Sequence, residues 1–167
     1  MRRKIVIIGP AFPYRGGIAD FNNALAKTYA DRGDDVVLYS FSLQYPSLLF
    51  PGKTQYEKDK KSIGLNIKTI INSINPFNWI KVARKINNEK PDYVIIRYWL
   101  PFMGPCLGTI SRLLNSKIKI LAITDNIIPH EKRVGDYMLT NYFVKSCDAF
   151  LSLSESVLRD LSKFTNT

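Results

Sequence analysis

Short aliphatic runs alternate with amphipathic stretches along the whole chain. The run KIVIIG at 4–9 is apolar without interruption after its lysine, as in a strand buried on both faces of a parallel sheet. Ile18, Phe21, Leu25 and Tyr29 then recur at helical spacing, predicting a helix from about Ile18 to Arg32 with Gly33 as its stop. Val36 to Phe41 predicts a second strand. Asn75-Pro76 marks a helix start, asparagine as cap and proline in the first turn, and NPFNWIKVARKINNEK carries that helix to just before Pro91. Further on, DYVIIRYW, KIKILAIT and DAFLSLS predict three more strands, each followed by a helix: GPCLGTISRLLN, VGDYMLTNYFVKS and ESVLRDLSKF. The segment from Leu43 to Ile74 fits neither strand nor helix at its start. Five strands alternating with helices predict one α/β domain over 1–167, a Rossmann-like doubly wound parallel sheet with helices on both faces.

In such a sheet ligands sit beyond the carboxyl ends of the strands, near the switch in strand order. After the first strand comes GPAFPYRGGIAD. Gly16 and Gly17 open a helix there, so bare backbone N–H groups and the helix dipole favour an anion, and Arg15 adds a cation. A plain strand–helix turn explains the same glycines. Neither G-x-G-x-x-G nor G-x-x-x-x-G-K-[ST] is present. The third strand runs out through Arg97, Tyr98 and Trp99, where the aromatics could stack on a sugar face and the arginine bind an anion; a hydrophobic corner is the other reading, favoured for Phe102. After the fourth strand, TDNIIPHEKR gathers Asp125, Asn126, His130 (the chain's one histidine) and Glu131, a set that points to a site. Ser154 reads as the cap of the last helix.

Composition narrows the classes. Lys and Arg outnumber Asp and Glu by 24 to 14, a net charge of +10, which suits anionic partners or simply a basic surface. Two cysteines, Cys106 and Cys147, make no disulfide framework and read as reduced core thiols of a cytoplasmic protein. MRRKIVIIG is a first strand and not a signal peptide, and the apolar stretch from Tyr93 to Ile110 is broken by Arg97 and two prolines, which argues against a membrane span. There are too few His and Cys ligands for a metal site, no D-x-D, no G-x-S-x-G elbow and no nucleic-acid-binding module.

Taken together, GPAFPYRGGIADF, RYWLPF, DNIIPHEKR and DAFLSLSESVLRDL resemble the N-terminal half of GT-B glycosyltransferases of family four. The resemblance implies a retaining transfer of a sugar from a nucleotide-sugar to a cell-surface polysaccharide or lipid-linked acceptor, with no cofactor and no required metal. It implies an acceptor-side domain whose Gly16 and Gly17 approach the donor phosphates. Arg15, Tyr98, Trp99, Asn126 and Glu131 would contact substrate, and Asp125 and His130 would act at the reacting sugar. Many members carry His-Asn where this chain has Asp125-Asn126; an aspartate there accepts sugar hydroxyls and stabilises an oxocarbenium-like centre but donates nothing when ionised. With the chain stopping at Thr167, the donor-binding C-terminal domain and its pair of glutamates are expected to be missing and the isolated domain inactive. A peripheral place on the inner, anionic face of a membrane is expected of Leu48, Leu49 and Phe50 beside Lys53, Lys58, Lys60 and Lys61, a segment that a solvated charged loop also explains. The alternative function is a non-catalytic Rossmann-like nucleotide or phosphate-binding domain.

Overall fold

The computed structural model describes residues 2–46, 64–129 and 133–165. His130 and Glu131, and the Leu48–Lys61 stretch expected at a membrane, lie outside the described residues. Six parallel strands form one sheet: β1 (Lys4–Ile8), β2 (Asp35–Leu43), β3 (Asn66–Asn72), β4 (Tyr93–Tyr98), β5 (Lys119–Thr124) and β6 (Ala149–Ser152), in the order β3-β2-β1-β4-β5-β6. The helices are α1 (Gly17–Asp31), α2 (Pro76–Glu89), α3 (Gly104–Arg112), α4 (Asp136–Val144) and α5 (Glu155–Leu161), with a single 3₁₀ turn at Pro101–Met103 before α3.

Side-chain alternation along the strands separates two cores. Ile5, Ile7, Leu38, Ile95 and Ile123 face α1, which meets them with Phe21, Leu25, Ala26 and Tyr29. Val6, Ile8, Val37, Tyr39, Ile96 and Tyr98 face the other way, under Trp79 and Ile86 of α2, Leu107 and Ile110 of α3, Phe143 of α4 and Leu161 of α5. β1 is buried throughout save for Lys4, as its unbroken apolar run predicts.

Two expectations need correcting. The hydrophobic pattern predicts five strands and the structure has six, the extra one being β3, an edge strand whose NIKTIIN pairs only with β2 and through irregular register at Ser40–Phe41 and Phe41–Leu43. Half of an edge strand faces water, so its sequence carries only a weak alternation. Strand adjacency in doubly wound sheets also leads one to expect the strand before Asp125 beside the first strand. Tyr93–Tyr98 lies between them instead: β1 pairs with β4, and β4 with β5.

Candidate functional site at the carboxyl rim

The order of strands reverses between β1 and β4, so the crevice at their carboxyl ends is where ligands enter such a sheet. The loop leaving β1 is pinned from both sides. The Gly9 N–H donates to the Tyr39 carbonyl at 3.1 Å, and the Ala11 N–H to Ser40 Oγ at 3.1 Å. From α1, Asn22 Nδ2 donates to the Pro10 carbonyl at 2.8 Å. A Cβ at residue 9 would stand 2.5 Å from Asn22 Nδ2 and 3.0 Å from Arg97 Cβ, so only glycine lets α1 and β4 close over this loop. Gly16 then turns the chain into α1 at φ 111°, a conformation open to glycine and strained for other residues.

No side chain caps α1, and at its start the Asp20 N–H donates to the Gly16 carbonyl at 3.0 Å. Arg15, Gly16 and Gly17 are all exposed, and a Cβ at Gly16 or Gly17 would meet nothing within 4 Å. The helix start is thus bare, sterically open and at the positive end of a four-turn dipole. Asp20, exposed in the first turn, is the one carboxylate of that helix start and opposes part of the field.

One strand away, Arg97 rises from β4 with its side chain 4% exposed, and both its Nε and Nη2 donate to the Asp125 carboxylate just past β5. Phe21 of α1 lies under the guanidinium, 4.3 Å from ring centroid to Cζ. The Asp125 N–H donates to the Tyr98 carbonyl at 2.9 Å, which fixes the aspartate backbone to β4 as well. The carboxylate is therefore held at two oxygens by a planar fork while 21% of its side chain still meets solvent. Arg97 Nη1 and Asn22 Oδ1 are buried and have no hydrogen-bond partner among the described residues. Reading the sequence alone misses this pairing: a lone arginine in an apolar strand is the signal, yet it leaves open which acid answers it.

The expected aromatic platform is not at the rim. Tyr98 is fully buried, its hydroxyl 3.0 Å from Thr140 Oγ1 and its ring stacked on Phe143 at 4.3 Å. Burial also pushes its phenol well above the ordinary range. Trp99 is buried as well, its indole N–H donating to the Tyr45 hydroxyl and its ring edge-on to Phe41. Tyr98, like the other even residues of β4, turns toward the core under α2 and α3, and Trp99, just past the strand, packs into the same core, so a sugar could reach neither ring without opening it. Asn126 is half-buried beside Asp125. Two residues past Asp125 begins a pocket of about 430 Å³, lined by Ile127, Pro129, Tyr137, Thr140 and Phe164 together with the charged Arg133, Asp136 and Lys163. Ser154 caps α5, its Oγ accepting from the Val157 N–H at 3.3 Å. Among the described residues no group of three His, Cys, Asp or Glu could hold a metal ion, and no helix is long and apolar enough to cross a membrane.

The same architecture recurs in solved structures. An α-glucosyltransferase in complex with UDP and a DNA 13-mer superposes with a TM-score of 0.58 at 12% identity, over 91% of this chain and 38% of that one. The UDP-N-acetylglucosamine 2-epimerase of Rickettsia bellii gives 0.58 at 16% identity, over 98% and 42%. The fold is GT-B-like and Rossmann-like. A TrkA-N domain of the Escherichia coli inner membrane protein ybaL gives 0.51 at 10% identity, over 98% and 96%. This GT-B-like chain spans about two fifths of the length of the glucosyltransferase and the epimerase. No family model matches it, and no curated protein matches it in sequence.

Proposed function

We propose that this chain is the acceptor-side domain of a retaining GT-B glycosyltransferase of family four. It would move a sugar from a nucleotide-sugar to a cell-surface polysaccharide or lipid-linked acceptor, without a metal or further cofactor, and only when joined to a donor-binding partner domain. The observation that carries the reading is the juxtaposition at one rim of an uncapped, sterically open helix start and an arginine-clamped aspartate. The N–H groups of Gly17 and its neighbours would face the donor diphosphate, with Arg15 beside them. Asp125, held in one orientation, would accept a hydroxyl of the transferred sugar and face positive charge developing at its reacting carbon. Asn126 would contact the same sugar, and the pocket beyond Ile127 would seat the acceptor. His130 and Glu131 keep the roles that the resemblance implies.

The test is turnover of nucleotide-sugars by the complete enzyme. Asp125→Ala should lower kcat more than it raises the acceptor KM. Because that change also strands the buried Arg97, it should be paired with Arg97→Met/Asp125→Leu, which restores an apolar contact without a carboxylate. Recovered stability with turnover still lost supports the reading; unchanged turnover in a folded Asp125→Ala protein overturns it.

A second reading, a non-catalytic nucleotide or phosphate-binding domain, is favoured by the near full-length match to the TrkA-N domain. Calorimetry separates the two. As half of a glycosyltransferase the isolated chain should bind nucleotide-sugars weakly or not at all, and tight binding of a free nucleotide supports the second reading.

A further inference from the structure

The floor of the pocket past Ile127 is tied down from two sides. Thr140, itself buried, sets its Oγ1 3.0 Å from the Tyr98 hydroxyl and 3.5 Å from the Ile127 carbonyl, which it donates to. The loop after β5 and the middle of α4 are thereby held together beneath the opening. One wall is aromatic. Tyr137 and Phe164 stack with centroids 4.7 Å apart and planes at 28°, and Tyr137 keeps 59% of its surface exposed, which leaves ring area for a ligand. The charged lining carries both signs. Asp136 accepts from the Arg133 N–H at 2.8 Å through Oδ2, and Lys163 Nζ donates to Asp160 at 2.7 Å. A volume of about 430 Å³ is within the range of small-molecule sites.

We infer that this pocket takes an uncharged pyranose, the sugar unit of the acceptor, with one C–H face against Tyr137 and hydroxyls given to Asp136. The inference rests on the acceptor-side reading proposed above and adds the class of sugar. A pyranose is amphipathic in the same way as this lining: its C–H bonds make an apolar face, and its hydroxyls make a polar edge that both donates and accepts. Tyr137 meets the first, and the charged groups of both signs meet the second. A purely aliphatic ligand would cover the Asp136 carboxylate without giving it a hydrogen bond. A sugar acid or a nucleotide would set its own negative charge against Asp136, while Lys163 is already answered by Asp160. The pocket also opens from the β5 loop, two strands from the helix start at Gly17, so it is separate from the proposed diphosphate site. Asp125 stands two residues before its floor, which brings a sugar seated here close to the carboxylate assigned to the reacting centre.

The test is a titration of the isotope-labelled chain, followed by amide NMR, with methyl glucoside, methyl galactoside and methyl mannoside. Methyl glucuronide and UDP serve as anionic probes. At least one neutral glycoside should shift the amides of Ile127, Tyr137, Thr140 and Phe164, and neither anionic probe should shift them at the same concentration. Tyr137→Ala should weaken that binding about tenfold, and Tyr137→Phe, which keeps the ring, should bind as wild type does. Asp136→Asn keeps an acceptor for the Arg133 N–H and should weaken binding about fivefold. Met138→Ala, next on α4 but outside the lining, should change nothing. Absence of shifts with every neutral glycoside, stronger shifts of these amides by an anionic probe, or an unaltered affinity in Tyr137→Ala would each overturn the inference. The complete enzyme separates it from the reading on which it rests. Sugar transfer with an acceptor KM untouched by Tyr137→Ala removes the sugar from this pocket alone, whereas glycoside binding without any sugar transfer leaves the pocket standing and removes the glycosyltransferase.

Discussion

At the scale of single residues, the rim is built by what is absent as much as by what is present. Gly17 has room for a side chain that would disturb nothing in the protein, yet that side chain would stand where a ligand must approach the helix N–H groups. Gly17→Ala should therefore leave thermal stability unchanged or slightly raised, while under the proposed glycosyltransferase function the complete enzyme should show a higher donor KM. Intact donor kinetics would remove the phosphate role from this loop. Arg97 shows what composition leaves hidden. KIVIIG, GGIADF and TDN are legible as strand, helix start and polar rim, because each is a local pattern. The Arg97–Asp125 contact joins β4 to the residue just past β5, and Tyr98 and Trp99 pack inward on Phe143 and Phe41; neither fact is local. Thus the sequence suggests aromatics at a sugar site, and packing of Phe143 and Phe41 around the end of β4 buries them.

Among the elements, legibility follows burial except at β6, an exposed edge strand that DAFLSLS still announces. Strands covered on both faces, β1, β4 and β5, stand within a residue or two of where their apolar runs predict, and Asn75 caps α2 with its side chain accepting from the Asn78 N–H at 3.2 Å. The half-exposed edge strand β3 escapes. Element packing also depends on one close approach. A Cβ at Gly104 would lie 2.3 Å from the Leu139 carbonyl oxygen, backbone against backbone, so α3 and α4 can touch only through glycine. Gly104→Ala should force the two helices apart and cost about 1–3 kcal/mol, read as a lower urea midpoint. Gly135→Ala, at a half-buried position, would serve poorly as a control because its φ is 98°, so Ala24→Ser on α1 is the better comparison. An unchanged midpoint for Gly104→Ala would mean that α4 sits further from α3.

For the whole molecule, acid is the informative perturbation. Hydrogen bonds from the Arg3 side chain, reinforced by its backbone N–H, hold the Asp34 carboxyl below its ordinary range. Burial alone would raise the Glu89 carboxyl, but bonds from Lys68 and Tyr39 outweigh it and the net shift is also downward. Folded carboxyls with depressed values bind fewer protons than the unfolded chain, so their stabilisation is complete above the ordinary carboxylate range and is lost as pH falls through the folded values. Urea melts taken from pH 6 down to pH 3 should show stability declining below about pH 4, and Arg3→Gln should flatten that decline. An equally steep decline in Arg3→Gln would assign acid sensitivity elsewhere. The two thiols will not contribute at these pH values: burial pushes Cys106 and Cys147 up to about 12, which keeps both protonated.

The placement of β1 in the middle of the sheet has a consequence during synthesis. Its first edge is taken by β2 within the first 43 residues, but its second waits for β4, whose Tyr93 pairs with Ile5. At the ribosome's pace of about 5–20 residues per second, the growing chain carries an open, wholly aliphatic strand edge for several seconds. Nascent chains stalled before Tyr93 should accordingly be captured by chaperones and cut by proteases, and those stalled well beyond Tyr98 should escape both. The central strand that makes the finished sheet secure is the one the unfinished chain can least protect.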